Sequence, residues 1–104
     1  MGAEADARVQ LAPEEAQQVR TIVGSVLPGA VVRIFGSRAT GRARPYSDLD
    51  LLFMRPSRLS LAERAALNDR FEASKLPFRV DLVDADGLAA GAAARILAEA
   101  VDLP

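Results

Sequence analysis

Between Pro13 and Leu27 the apolar residues Ala16, Val19, Ile22, Val23 and Val26 return every three or four positions, the period of one helical face. Pro13 suits the first turn of such a helix, where a missing N–H leaves nothing unsatisfied. The spacing predicts an amphipathic helix ended by Leu27-Pro28-Gly29. Ala30 to Phe35 (AVVRIF) is then a short run rich in β-branched residues, of the kind that lies inside a sheet, and it stops at Gly36. A second run, Asp48 to Met54 (DLDLLFM), alternates at first and then turns wholly apolar before Arg55-Pro56 ends it. Residues 36–47 between the two runs, GSRATGRARPYS, are too polar and too rich in glycine and arginine to bury themselves; they read as a loop with room for one helical turn. Ser60 with Glu63 forms a capping box that opens a helix to about Ser74, with Leu61, Ala65, Leu67 and Phe71 as candidate core positions. Leu76-Pro77 breaks it. Phe78 to Val83 has period two, which puts Val80 and Leu82 on one face of a strand and Asp81 on the other. A last helix is predicted over about 87–101, with Asp84 to Asp86 as cap candidates and Leu88, Ile96, Leu97 and Val101 facing inward.

The order helix, strand, loop, strand, helix, strand, helix predicts an α/β (α+β) domain, a small mixed sheet of three strands covered by helices. The crossover from the second strand to the third is long enough to bring the chain back parallel and adjacent. If Gly36 and Asp48 are to meet at one site, the first two strands run antiparallel, and the strand order is 1-2-3. Residues 13–104 read as a single domain and residues 1–12 as a disordered N-terminal segment. At 104 residues there is chain for one modest core.

Composition narrows the chemistry. There is no cysteine and no histidine, so thiol nucleophiles, disulfides, zinc-thiolate sites and histidine-based triads are excluded. Metal ligation by this chain must use oxygen, which selects hard cations such as magnesium, manganese or calcium. A net charge of −1 with acids and bases interspersed provides no field for non-specific binding to DNA or to an anionic membrane. No apolar stretch is long enough to span a bilayer and the first residues carry no hydrophobic signal core, so the cytosol is the expected compartment.

Within these limits three aspartates stand out. Asp48 and Asp50, two apart on a strand, leave the same face roughly 6–7 Å apart, and Asp81 can join them from the neighbouring strand. Carboxylates gathered in this way repel; each pair at about 4 Å costs on the order of 4 kcal/mol at an effective dielectric of about 20. Either a proton or a divalent cation must offset that. Three aspartates bridging two magnesium ions about 3.5–4 Å apart is an arrangement that clamps the attacking and leaving oxygens of phosphoryl and nucleotidyl transfer. Gly36-Ser37, directly after a strand, can supply the other half: backbone N–H groups and a hydroxyl for phosphate, with glycine permitting close approach. Taken singly, each feature has an ordinary structural explanation; the combination does not.

Gly36, Ser37, ten residues, then Asp48-Leu49-Asp50 resembles the signature of the minimal nucleotidyltransferases of the DNA polymerase β superfamily. Arg38, Gly41, Ser47 and the segment Val80 to Asp84 extend the match, which runs from about 13 to 101. The resemblance implies the polymerase β-like nucleotidyltransferase fold and transfer of AMP from ATP, with two Mg²⁺ ions and release of pyrophosphate. It assigns Asp48, Asp50 and Asp81 as catalytic metal ligands, Asp81 also aiding deprotonation of the acceptor hydroxyl. Gly36 and Ser37 would hold the β and γ phosphates, with Arg38 assisting there and Ser47 supporting the loop. Such proteins are commonly encoded beside a small helical HEPN ribonuclease toxin and neutralise it, as antitoxins, by attaching AMP to a tyrosine.

Two other readings compete: an antitoxin that neutralises its partner by contact alone, and the nucleotide-binding subunit of a small-molecule nucleotidyltransferase. The intact acidic triad favours catalysis over contact. The small-molecule enzymes carry a further helical domain for the acceptor, which these residues do not encode. A Walker-type ATPase is excluded because Gly36-Ser37 is not followed by Gly-Lys-Ser/Thr at the required spacing, and no basic recognition helix supports sequence-specific DNA binding. With so little chain left after the sheet and its helices, the acceptor surface is expected to come from a partner protein or another protomer, for which the alanine-rich last helix is a candidate docking face.

Overall fold

The computed structural model of the chain describes residues 8–104. Four helices and four strands follow in the order α1 (Pro13–Val26), β1 (Val31–Phe35), α2 (Ser37–Thr40), β2 (Leu49–Arg55), α3 (Leu61–Ala73), β3 (Val80–Asp84), α4 (Ala90–Glu99) and β4 (Val101–Asp102). They form one mixed sheet in the order β3-β2-β1-β4. β1 runs antiparallel to β2 and to β4, while β2 and β3 are parallel, as the long helical connection between them requires. The predicted arrangement of three strands therefore holds, with a fourth added at the β1 edge.

Strand alternation divides the sheet into two unequal faces. Leu49, Leu51 and Phe53 of β2 and Ile34 of β1 are fully buried with Val19 and Val23 of α1 and Leu67 and Phe71 of α3, and this is the main core. The other face is covered only in part. Leu52 packs there with Ile96 and Ala100, joined by Phe35, Met54 and Val83 at the margin. α4 thus seals the middle of that face and leaves uncovered the end at which Asp48 and Asp50 leave β2.

Three expectations need correction. Leu61 is 89% exposed, because at the first position of α3 it points away from the sheet; Ala65 is exposed too. The Ser60–Glu63 capping box that starts this helix is present as predicted. The last helix is shorter than its pattern suggests. It begins after Ala89, because Asp84, a cap candidate, instead ends β3 and accepts hydrogen bonds from Leu59 N (3.1 Å) and Arg64 Nη2 (2.8 Å). It ends before Val101, which pairs with Ile34 in β4, and Leu97 is 42% exposed. A two-residue strand carries too little pattern to be seen before its partner is known.

The disorder expected over residues 1–12 falls partly on residues 1–7, which lie outside the described residues. Val9 and Leu11 pack against the main core, and Gln10 bonds the loop after β1 through Arg38 O (2.8 Å) and Ala43 N (2.7 Å). Among the described residues no helix is long and apolar enough to cross a membrane.

A core position of β2 and an exposed position of α3 allow a direct check of this packing. Phe53→Ala, at the centre of the main core, should lower unfolding free energy by about 3–5 kcal/mol, whereas Leu61→Ala should change it by no more than about 0.5 kcal/mol. Urea unfolding of both variants measures the difference.

Candidate active site

The loop between β1 and β2 is built around an arginine. Arg38 is 6% exposed, its guanidinium lies 4.1 Å above the Phe78 ring, and it donates to three backbone carbonyls. Nε reaches Ser47 O at 3.0 Å, Nη1 reaches Gln10 O at 2.8 Å and Nη2 reaches Pro45 O at 3.1 Å. A planar donor fork suits such a task, because one rigid group fastens the loop to the segment before α1 at once. Ser47, the other loop residue singled out in the sequence, closes a turn by accepting Arg44 N through Oγ at 2.8 Å. Arg38 thus has an interior position bonded to the loop's carbonyls, and Ser47 Oγ bonds within the same loop.

What the loop presents is the Gly36-Ser37 turn. Gly36 has φ +77° and ψ −155°, a backbone state closed to residues with a side chain, and Ser37 opens the single turn of α2. Register decides what lies opposite. Phe35 pairs with Asp50, so the turn that follows Phe35 falls beside that carboxylate. A Cβ built on Gly36 would collide with Oδ2 of Asp50. Glycine is therefore required twice here, once by conformation and once by space.

On the other side of Asp50 stands Asp81. The two are partners in the parallel β2–β3 register, and so they project from the same face of adjacent strands about 4.8 Å apart. Asp48, two residues before Asp50, adds its charge. Burial first, then the charges of Asp81 and Asp48, a hydrogen bond with the Asp81 side chain and the charge of Glu99 together push the Asp50 carboxyl up to about 6.

Glu99, which no local pattern in the sequence singles out, completes the charge distribution. Its side chain is 16% exposed, and Oε2 accepts the Gly36 N–H at 2.8 Å. It sits at the end of the alanine-rich α4, whose packing across the sheet brings it to the turn. The countercharges are peripheral: Arg79 Nη2 lies 3.4 Å from Asp81 Oδ1, and Arg95 Nη1 4.0 Å from Glu99 Oε1.

Of the sequence-predicted residues, then, Gly36, Asp48, Asp50 and Asp81 are brought together, with Ser37 next in the chain. Among the described residues no three acidic side chains are preassembled as an ion cage. The fold supplies the Asp50–Asp81 pair with Asp48 beside it. These groups fit a divalent cation by chemistry: every donor is a hard oxygen, and crowded carboxylates favour positive charge between them.

A sheet end that combines crowded carboxylates with a glycine turn able to approach phosphate defines a class, the enzymes that transfer groups between phosphates and hydroxyls. Comparison with known proteins makes this specific. Residues 16–102 match the nucleotidyltransferase domain, and the chain belongs to that family. It is 41% identical over 78 residues, 75% of this chain and 68% of the relative, to "Probable protein adenylyltransferase MntA" of Haemophilus influenzae. A solved minimal nucleotidyltransferase superposes with a TM-score of 0.60 at 40% identity, covering 85% of this chain and 95% of its own. The chain is accordingly a nucleotidyltransferase, and its fold is that of the minimal members.

Two outcomes follow from the charges. The folded chain binds the Asp50 proton more tightly than the unfolded chain, about 6 against 3.8. This group therefore favours folding below the lower value, and the benefit is lost as pH rises through the higher one. In the presence of a chelator, Asp50→Asn should raise Tm by a few degrees near pH 8 and change it little near pH 4, as followed by thermal melts. Glu99→Ala should be less stable than Glu99→Gln by about 1 kcal/mol, because only Gln keeps an acceptor for the Gly36 N–H. Both Glu99 variants should lower the Asp50 titration point, read by carboxyl-carbon NMR.

Proposed function

We propose that this chain is a Mg²⁺-dependent protein adenylyltransferase that moves AMP from ATP to a hydroxyl of a partner protein. The acceptor is a tyrosine of a helical HEPN-type toxin, so that the chain acts in the cytosol as the antitoxin of the pair. The observation that carries the reading is the contact of the Gly36 turn with Asp50, which in turn is paired with Asp81. Phosphate held by the turn would lie directly against the carboxylates. The adenylyl group and the protein acceptor are supported by the name of the Haemophilus influenzae relative. The HEPN partner is supported by the resemblance of the Gly-Ser and Asp-x-Asp signature to antitoxins encoded beside such toxins.

In this mechanism Asp48, Asp50 and Asp81 hold two magnesium ions, which when bound supply charge neutralisation at the phosphates and orient the reacting oxygens. Ser37 donates its hydroxyl and N–H to the β and γ phosphates, and Gly36 lets them come close to the backbone. Asp81, half-exposed at the edge strand, accepts the proton of the acceptor hydroxyl. The acceptor oxygen attacks the α-phosphorus in line and pyrophosphate leaves. Arg38 and Ser47 contribute by keeping the loop in one shape, so that positioning is established before the nucleotide arrives. Covalent chemistry on the enzyme is not needed; charge placement and orientation carry the rate.

The test is incubation of the chain with labelled ATP, Mg²⁺ and the helical protein encoded beside it, with mass spectrometry for an AMP adduct. Asp48→Asn and Asp50→Asn should each reduce transfer by at least about 100-fold while circular dichroism stays native. If those variants still neutralise the partner at full strength, contact alone explains the antitoxin effect and the enzymatic account of it fails.

A further inference from the structure

Outside the edge of β3, between that strand and α3, lies a cleft of about 550 Å³, a size usual for ligand sites. Asp81 is among its lining residues. Phe71, Leu76 and Phe78 form an apolar part of its wall, and Arg64, Asn68, Glu72 and Arg79 make the rest of it polar and charged. Phe78 also lies under the Arg38 guanidinium and Arg79 pairs with Asp81, whereas Phe71, Leu76 and Asn68 have no part in the site as described so far.

The order of the strands places this cleft in the reaction. Across the sheet the chain presents the Gly36 turn at the end of β1, Asp50 on β2, Asp81 on β3, and then the cleft. In displacement at phosphorus the leaving and incoming oxygens lie on opposite sides of the phosphorus atom. With the pyrophosphate held on the β1 side, the incoming oxygen must arrive from the β3 side, where the cleft lies.

We propose that the α3–β3 cleft is the acceptor pocket and that it receives a tyrosine side chain, an inference that rests on the adenylyl-transfer reading above. A side chain rather than an added strand is favoured because the β3 edge is already covered: Arg64 Nη1 donates to Leu82 O at 2.8 Å. Tyrosine is favoured over serine because its apolar ring can lie on Phe71, Leu76 and Phe78 while its hydroxyl reaches Asp81. Serine would leave that wall uncovered. In the transfer the tyrosine oxygen forms a bond to the α-phosphorus as the bond from that phosphorus to the bridging oxygen breaks. The electron pair leaves with pyrophosphate, and the hydroxyl proton passes to an Asp81 carboxylate oxygen.

Asn68 and Glu72 are exposed one turn apart on α3, both line the cleft, and neither touches the nucleotide side. Asn68→Trp and Glu72→Trp in the full chain therefore fill the pocket from a surface position. Both variants are assayed with ATP and Mg²⁺ on N-acetyltyrosinamide, N-acetylserinamide and the helical partner protein; ATP affinity is measured separately by calorimetry and folding by thermal melts. The expected result is preference for the tyrosine probe. In at least one variant that melts like the parent, the acceptor KM should rise about ten-fold or more with ATP affinity unchanged. Transfer that proceeds with unaltered acceptor KM in both Trp variants, or without preference for tyrosine over serine, would overturn the pocket and leave the adenylyl-transfer reading intact. A parent chain that binds ATP and modifies none of the three acceptors would remove that reading, and the pocket with it.

Discussion

Asp50 and Asp81 stand side by side because β2 and β3 are parallel and in register, and like charges held at that spacing work against the fold. Burial of Asp50 increases the repulsion, and Asp48 and Glu99 add to it. The sheet tolerates this because one of its faces supplies nearly all of the cohesion. The fully buried side chains Ile34, Leu49, Leu51, Phe53, Leu67 and Val19 lie on the α1 and α3 side, while the opposite face has only a small apolar patch under α4. Stability and electrostatic strain are thus carried by opposite faces of the same strands. A proton on Asp50 lessens the strain at low pH.

The second constraint is the shape of the loop facing those carboxylates. A segment with two glycines and three arginines has no core of its own, and what holds it is a single buried guanidinium bonded to carbonyls of Gln10, Pro45 and Ser47 and stacked on Phe78. The clamp joins three parts of the chain far apart in sequence, the residues ahead of the first helix, the loop itself and Phe78. Preorganisation of this kind is what a reaction driven by positioning needs, since the turn does not have to be ordered at the expense of substrate binding. Glu99 adds a further tie by taking the Gly36 N–H, so that both the C-terminal helix and the segment before α1 hold the same turn from different sides.

Membership in the nucleotidyltransferase family agrees with this division of labour. The sheet order also gives the site a direction, with the glycine turn at one side, the paired aspartates in the middle and the cleft beside α3 at the other. In so small a domain there is little surface between these points, and consecutive strands therefore provide consecutive parts of the site.

Much of this was readable from local pattern. Periodicity located the helices and three of the strands, the Ser60–Glu63 pair marked the start of α3, and alternation put Asp48 and Asp50 on one face, because each of these depends on neighbours within one or two turns of chain. The Gly-Ser and Asp-x-Asp spacing pointed to the family for the same reason: the residues are few and close. What local pattern could not reveal is every feature that depends on which distant atoms meet. Leu61 looks like core but faces outward, and Val101 looks helical but completes the sheet. Arg38 is held inside by three carbonyls and Glu99 closes on Gly36, contacts that no local pattern carries. Hydrophobic period is a property of short stretches of sequence, whereas the partner of a buried hydrogen bond and the environment of a carboxyl arise only when separate elements pack together.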